Sequence, residues 1–163
     1  AGEEPSRRTG AEVTGPAGLP ETLRISTDPA ALDRDAVHAM MARQSDWARG
    51  IPRETQDRAI DNSLCFGGFL GATQVAFARV VTDYATFANL VDVFVLPEHR
   101  GKGYSKALVA AVVAHPRLQG LRRFRLDTTD AHGLYAQFGF KPAARPEQVM
   151  ERWFPGLYEK PRD

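Results

Sequence analysis

The chain has almost no cysteine, no long apolar run and no surplus of charge of either sign. Its single cysteine, Cys65, cannot form an internal disulfide, which excludes a disulfide-stapled scaffold and fits a reducing, cytoplasmic compartment. Cys65 lies in the run Leu64-Cys65-Phe66, where a cysteine is ordinarily a small buried hydrophobe and not a nucleophile. No apolar stretch approaches the roughly 20 residues that span a bilayer, and the N-terminus lacks the apolar core of a secretory leader. Lys plus Arg number 21 against 20 for Asp plus Glu, so no global basic field argues for nucleic acid. Nor does a basic amphipathic helix argue for a membrane surface.

What is present suffices for one domain. The 163 residues are 43% hydrophobic and 25% charged, an ordinary balance for a globular chain that builds its core without disulfides or metal. Residues 1–20 are rich in Gly, Pro and charge and contain no aromatic residue. Too little surface can be buried there to offset ordering, so a mobile arm is expected, followed by a single domain over residues 21–163.

Periodicity orders the rest. Leu23 and Ile25 alternate in a first short strand, and Asp33 opens a helix in which Val37, Met40, Met41 and Gln44 share a face. Residues 45–55 form a loop with Gly50, Pro52 and an isolated Trp47, and a second short helix runs through Asp61. Strands are expected at 64–70, about 74–82 and 87–96, the last nearly continuous in apolar residues. Residues 104–115 read as a helix apolar almost all round, stopped by Pro116. A strand at 121–128, a short helix at 131–138 closed by Gly139, and a last strand at 149–154 complete the order β-α-α-β-β-β-α-β-α-β.

The most informative stretch joins the third long strand to the apolar helix: Leu96-Pro97-Glu98-His99-Arg100-Gly101-Lys102-Gly103-Tyr104-Ser105. A double-glycine turn lets backbone approach a ligand, and the first amides of the following helix have no intrahelical partner. They point outward at the positive end of the helix dipole, so an anion binds there, with Arg100 and Lys102 adding attraction. The turn lacks the Gly-Lys-Ser/Thr ending of a Walker loop and the three spaced glycines of a dinucleotide fingerprint.

It resembles motif A of the GCN5-related N-acetyltransferases (GNAT), Arg/Gln-x-x-Gly-x-Gly/Ala, with the small Ser105 at the usual Gly/Ala place. Residues 128–140, Thr-Thr-Asp-Ala-His-Gly-Leu-Tyr-Ala-Gln-Phe-Gly-Phe, look like motif B of the same family. The resemblance spans about residues 21–154. It implies an α/β GNAT fold, a central mixed, mostly antiparallel sheet flanked by helices. It also implies an N-acetyltransferase that takes acetyl-CoA as donor and needs no metal.

By that resemblance, Arg100 to Ser105 hold the pyrophosphate of acetyl-CoA, the backbone of Phe94 and Val95 pairs with the pantetheine arm, and Thr128 stands where many relatives carry a cofactor-contacting asparagine. Tyr135 falls on the tyrosine that protonates the departing thiolate. A phenol of pKa about 10 stays protonated at neutral pH, as that role demands.

Asp92 interrupts an otherwise apolar strand, and a buried carboxylate is costly unless paired. Alternation puts Asp92, Phe94 and Leu96 on one face, and Val91, Val93 and Val95 on the other. The resemblance implies that Asp92 binds or deprotonates the acceptor amine; the other reading is an aspartate paired with an arginine. No histidine has a comparable claim. Trp47 either shapes the acceptor pocket, with Asp46 and Glu54 attracting a cation, or caps the core, and Trp153 carries the same ambiguity.

The expected reaction is direct transfer within a ternary complex to a primary amine of a small molecule. An aminoglycoside-type sugar amine, a protein or peptide amine, and a non-catalytic acyl-CoA sensor remain as alternatives. A homodimer is left open, as are acyl-chain length and the identity of the acceptor.

Overall fold

The computed structural model describes residues 22–159, so the expected arm at residues 1–20 lies outside the described residues. Five strands form one sheet in the order β1-β2-β3-β4-β5. They are β1 (Arg24–Ser26), β2 (Leu64–Leu70), β3 (Thr73–Thr82), β4 (Phe87–Val95) and β5 (Arg123–Leu126). β1 to β4 run antiparallel and β5 joins β4 in parallel, giving the mixed, mostly antiparallel sheet expected. Helices α1 (Arg34–Ala39), α2 (Arg53–Asp61), α3 (Tyr104–Ala114) and α4 (His132–Ala136) flank it.

Two apolar clusters cover the two faces. One gathers Phe66, Val75, Ala78, Val80 and Leu90 under Leu108, Val109 and Val112 of α3. The other gathers Cys65, Phe77 and Phe94 under Val37, Met40, Met41 and Ile60 from the helical segments between β1 and β2. β3 lies at the centre of the sheet and feeds both clusters, which is why it reads apolar on both faces.

Asp33 caps α1, its carboxylate accepting from the Ala36 amide at 3.0 Å. The helix then widens over Met40–Gln44, where Ser45 N donates to Met40 O at 2.9 Å, one residue farther than an α-turn. That extra residue shifts the helical phase. Gln44, expected on the buried face, is exposed, and Ser45 is buried in its stead with its hydroxyl donating to Met41 O at 2.6 Å.

Two further expectations are corrected. β5 is shorter than the apolar run suggested, covering only Arg123–Leu126. Residues 149–154 form no strand and are exposed throughout, so the described chain ends its sheet at β5. Strand-forming composition makes a strand only where backbone pairing accompanies it, and residues 149–154 do not pair with the sheet.

Candidate active site

The site begins at an irregularity in β4. Arg79 stands opposite Val91 and Phe77 opposite Phe94, so two steps on β3 face three on β4. The extra residue falls at Asp92, whose φ is 53°, a conformation that non-glycine residues adopt at a cost. Strict alternation would set Leu90 and Asp92 on one face. Here Leu90 packs beneath α3, and Asp92 turns to the opposite side, beside Trp47 and Phe94. A bulge thus aims the carboxylate at Trp47 and Arg79, where a regular strand would have set it beside Leu90 beneath α3.

Partners hold both carboxylate oxygens. Arg79 Nε donates to Oδ2 at 2.8 Å, and the Trp47 indole Nε1 donates to Oδ1 at 2.9 Å. Both ionic side chains are largely buried, with 11% of Asp92 and 18% of Arg79 exposed. Arg79 is held in turn by Ser63, whose Oγ accepts from its Nη1 at 3.0 Å. Trp47 meets Phe94 edge-on at 6.4 Å, yet its ring is 55% exposed, so it forms a wall and does not cap the core. Asp46 turns away to Arg49, and Glu54 is exposed on α2, so neither joins this corner.

Beyond the bulge the sheet opens. β5 pairs with β4 only from Phe87 to Leu90, so residues 91–95 have no strand beside them on that side. The gap leads to the glycine turn. Gly101 has φ 75° and Gly103, the N-cap of α3, has φ 81°; no atom lies within 4 Å of a Cβ built on either. Backbone is therefore bare at the start of an 11-residue helix, the arrangement that receives a diphosphate.

The basic side chains divide their work. Lys102 is exposed at the turn, whereas Arg100 folds back, its Nε donating to Val95 O at 2.9 Å and its guanidinium over the Phe94 ring at 5.2 Å. Arg100 thus fixes the end of β4 to the turn. Tyr104 puts its ring into the core under α3, which leaves its backbone as the part facing the turn; Ser105 is half-buried.

On the far side of the gap, Thr128 Oγ1 accepts from Ala131 N at 3.1 Å and organises the entry to α4. Tyr135 on α4 is 8% exposed and lies edge-on to Phe140 at 6.1 Å. Burial first, then the charge of Asp130, raises its phenol above 10, which keeps it protonated through the neutral range. The Cys65 thiol is pushed up to about 12, mainly by burial, and is inert as a nucleophile.

Sequence reasoning found Asp92, Trp47 and Phe94 separately and missed Arg79, which holds Asp92. Arg79 carries the signal that marked Asp92, a lone charge in an apolar strand.

The comparisons with known proteins agree with this geometry. Residues 34–140 match the family described as the acetyltransferase (GNAT) family. A Xanthomonas campestris pv. campestris crystal structure, provisionally named an acetyltransferase of that family, is 60% identical with a TM-score of 0.84, covering 88% of this chain and 100% of its own. A protein from Gibberella zeae, also provisionally named an acetyltransferase, is 34% identical, covering 69% of this chain and 75% of its own. N-acetylglutamate synthase from Neisseria gonorrhoeae, solved with coenzyme A and N-acetyl-glutamate, shares the fold at 18% identity and a TM-score of 0.62, covering 80% of this chain and 31% of its own.

Proposed function

The chain belongs to the GNAT family of acetyl-CoA-dependent N-acetyltransferases, and on that premise we propose that it acetylates a primary amine of a small molecule by direct attack while both substrates are bound. The observation that carries this reading is the gap between β4 and β5, which runs from the acceptor corner at Trp47 and Asp92 to the bare turn at Gly101 and Gly103. Donor and acceptor would meet there from opposite ends, with no side chain needed to carry the acetyl group.

The donor lies with its diphosphate on the first amides of α3 and its arm along the backbone of Phe94 and Val95. Lys102 adds charge at the turn, and Arg100 holds the Val95 carbonyl in place. Ser105 is small enough to leave the turn accessible. Thr128 shapes the opposite wall through its bond to Ala131.

An alkyl ammonium of pKa near 10.4 must lose a proton before it attacks. Each oxygen of Asp92 already accepts one hydrogen bond, so we assign it the orientation of the amine, with the proton leaving to water in the open gap. Trp47 provides the flat wall against which a small acceptor rests. As the nitrogen–carbon bond forms and the carbon–sulfur bond breaks, the thiolate takes the phenolic proton of Tyr135, and the surplus proton of the acylated nitrogen leaves to solvent, from which the phenolate is reprotonated.

The test is thiol release from acetyl-CoA against a panel of small amines and lysine peptides, with mass spectrometry of the products. Small amines should be acetylated without any acetyl-protein species, and Asp92→Asn should lower kcat/KM for the amine while sparing acetyl-CoA binding. Acetylation of peptides alone would overturn the small-molecule assignment. Unchanged amine kinetics in Asp92→Asn would remove that residue from the acceptor site.

A further inference from the structure

A second cleft, of about 270 Å³, opens at the opposite margin of the sheet from the β4–β5 gap. It lies where β1 stops short. β1 pairs with β2 only at Gly67, Gly68 and Phe69, so among the described residues Leu64 to Phe66 have no strand on that side, and the chain passes the opening at Thr27. Leu32, Ile60 and Leu64 supply apolar walls drawn from both clusters of the core. None of the lining residues belongs to the gap or to the glycine turn.

The polar part of the lining donates hydrogen bonds. Arg117 lays its guanidinium over the Tyr84 ring at 3.6 Å, which occupies the face of the group and leaves its in-plane N–H donors uncommitted among the described residues. His115 Nδ1 accepts from the Arg117 amide at 3.2 Å, so the neutral ring carries its proton on Nε2 and offers a second donor. Burial, and then the Arg117 charge, lowers the His115 pKa and keeps that ring neutral at neutral pH. Thr27 adds a hydroxyl, and no carboxylate lines the cleft, so its charge is the single positive charge of Arg117. Tyr84 is fixed beneath that charge. Its φ is 60°, rare for a bulky residue, and the turn around it is pinned: Tyr84 N donates to Thr82 Oγ1 at 2.9 Å, and the Asp83 carboxylate accepts from the amides of Ala85, Thr86 and Phe87. Strain of this kind persists where the surroundings over-determine it, and it gathers at ligand clamps.

We propose that this cleft binds a small monocarboxylate with a compact apolar body, as a second ligand site separate from the β4–β5 gap. A guanidinium held by its face meets a carboxylate edge-on through parallel hydrogen bonds, and His115 and Thr27 share the same lining to serve the remaining lone pairs. One positive charge balances one carboxylate and leaves a phosphate dianion half compensated. The walls of Leu32, Ile60 and Leu64 take the alkyl or aryl part, and the small volume limits it to a short branched chain or a single ring. An amine is disfavoured, because it brings a second positive charge beside Arg117 and finds no carboxylate there.

Amide NMR on the isotope-labelled full chain tests this, with benzoate and isovalerate as probes and benzamide and isovaleramide as their neutral isosteres. At least one carboxylate should shift the amides of Thr27, Leu64, Cys65 and Arg117 saturably, while those of Gly101 to Ser105 stay in place. Its isostere should bind at least roughly tenfold more weakly, because a hydrogen bond to a charged group becomes one to a neutral group. Arg117 is exposed, so Arg117→Gln keeps the fold, and it should bring the carboxylate down to the level of its isostere. Inorganic phosphate should bind more weakly than the carboxylate. No saturable shift with either carboxylate, shifts centred on the glycine turn, an isostere or phosphate that binds as tightly, or affinity indifferent to Arg117→Gln would overturn the proposal.

Discussion

Tyr135 is the residue on which a single atom decides most. It is buried and its phenol is raised above 10 by desolvation and by Asp130, so the proton is present wherever the enzyme works. Tyr135→Phe removes the hydroxyl and keeps the ring against Phe140. We expect kcat to fall by about 10²–10⁴, the usual worth of a positioned general acid, with acetyl-CoA affinity little changed. The sign of the pH effect follows from the raised pKa. Activity that needs the neutral phenol holds into more alkaline solution than an ordinary tyrosine would allow, and the alkaline decline that follows is absent from the phenylalanine variant. Steady-state thiol release across pH measures both; full activity in the variant would exclude Tyr135 from proton transfer.

The same scale shows what a lone charge in an apolar strand can and cannot tell. Asp92 stood out in the sequence because burial of an unpaired carboxylate is costly. Of the two readings of it, the structure shows the arginine pair: Arg79 takes one oxygen, and the Trp47 indole takes the other. The partner was not legible, since naming it requires the hairpin register and a bulge that no periodicity announces.

At the scale of elements, glycines separate a binding turn from a packing contact. Gly103 has a positive φ and open space where a Cβ would sit, so Gly103→Val strains the backbone by about 1–2 kcal/mol and fills the approach of a diphosphate. Calorimetry on the folded variant should find acetyl-CoA binding weakened more than in a Lys102→Ala variant; unchanged affinity would refute the diphosphate site. Gly50 also has a positive φ, but there a Cβ would lie 2.5 Å from the carbonyl oxygen of Tyr158, so it is a packing contact. It holds the C-terminal segment beside the Trp47 loop.

Elements also show where local pattern misleads. The apolar repeat of the first helix was correct to Met41, and then the wide turn at Met40–Gln44 exchanged Gln44 for Ser45 in the core. Residues 149–154 have the composition of a strand, but a strand also needs a pairing partner, and among the described residues this segment pairs with none.

Across the whole molecule, one sheet separates two apolar clusters that must form together, since the strands of each are shared. Leu108 is fully buried under one face and Phe77 under the other. Leu108→Ala should destabilise by about 2–5 kcal/mol and Phe77→Ala by about 3–5 kcal/mol. Each then lowers Tm by roughly 10 °C in a single cooperative transition. Phe77→Ala should also weaken acceptor kinetics, because its cluster includes Phe94 and the Ala48 and Ile51 supports of the Trp47 loop. Scanning calorimetry with two spectroscopic probes checks the transition; separate melts would show that the two faces fold independently.

The sequence by itself determined the order of the elements as far as α4, the glycine turn before α3 and the tyrosine of α4. Each rests on contacts within a few residues: a cap, a turn that requires positive φ, a periodic face. The tertiary structure alone decided that β5 leaves β4 after Leu90, that Asp92 turns out of its strand, and that Arg79 and Trp47 meet on its carboxylate. These join residues 13 and 45 positions apart, and only the packed sheet, with its bulge and its open edge, brings them within hydrogen-bonding distance.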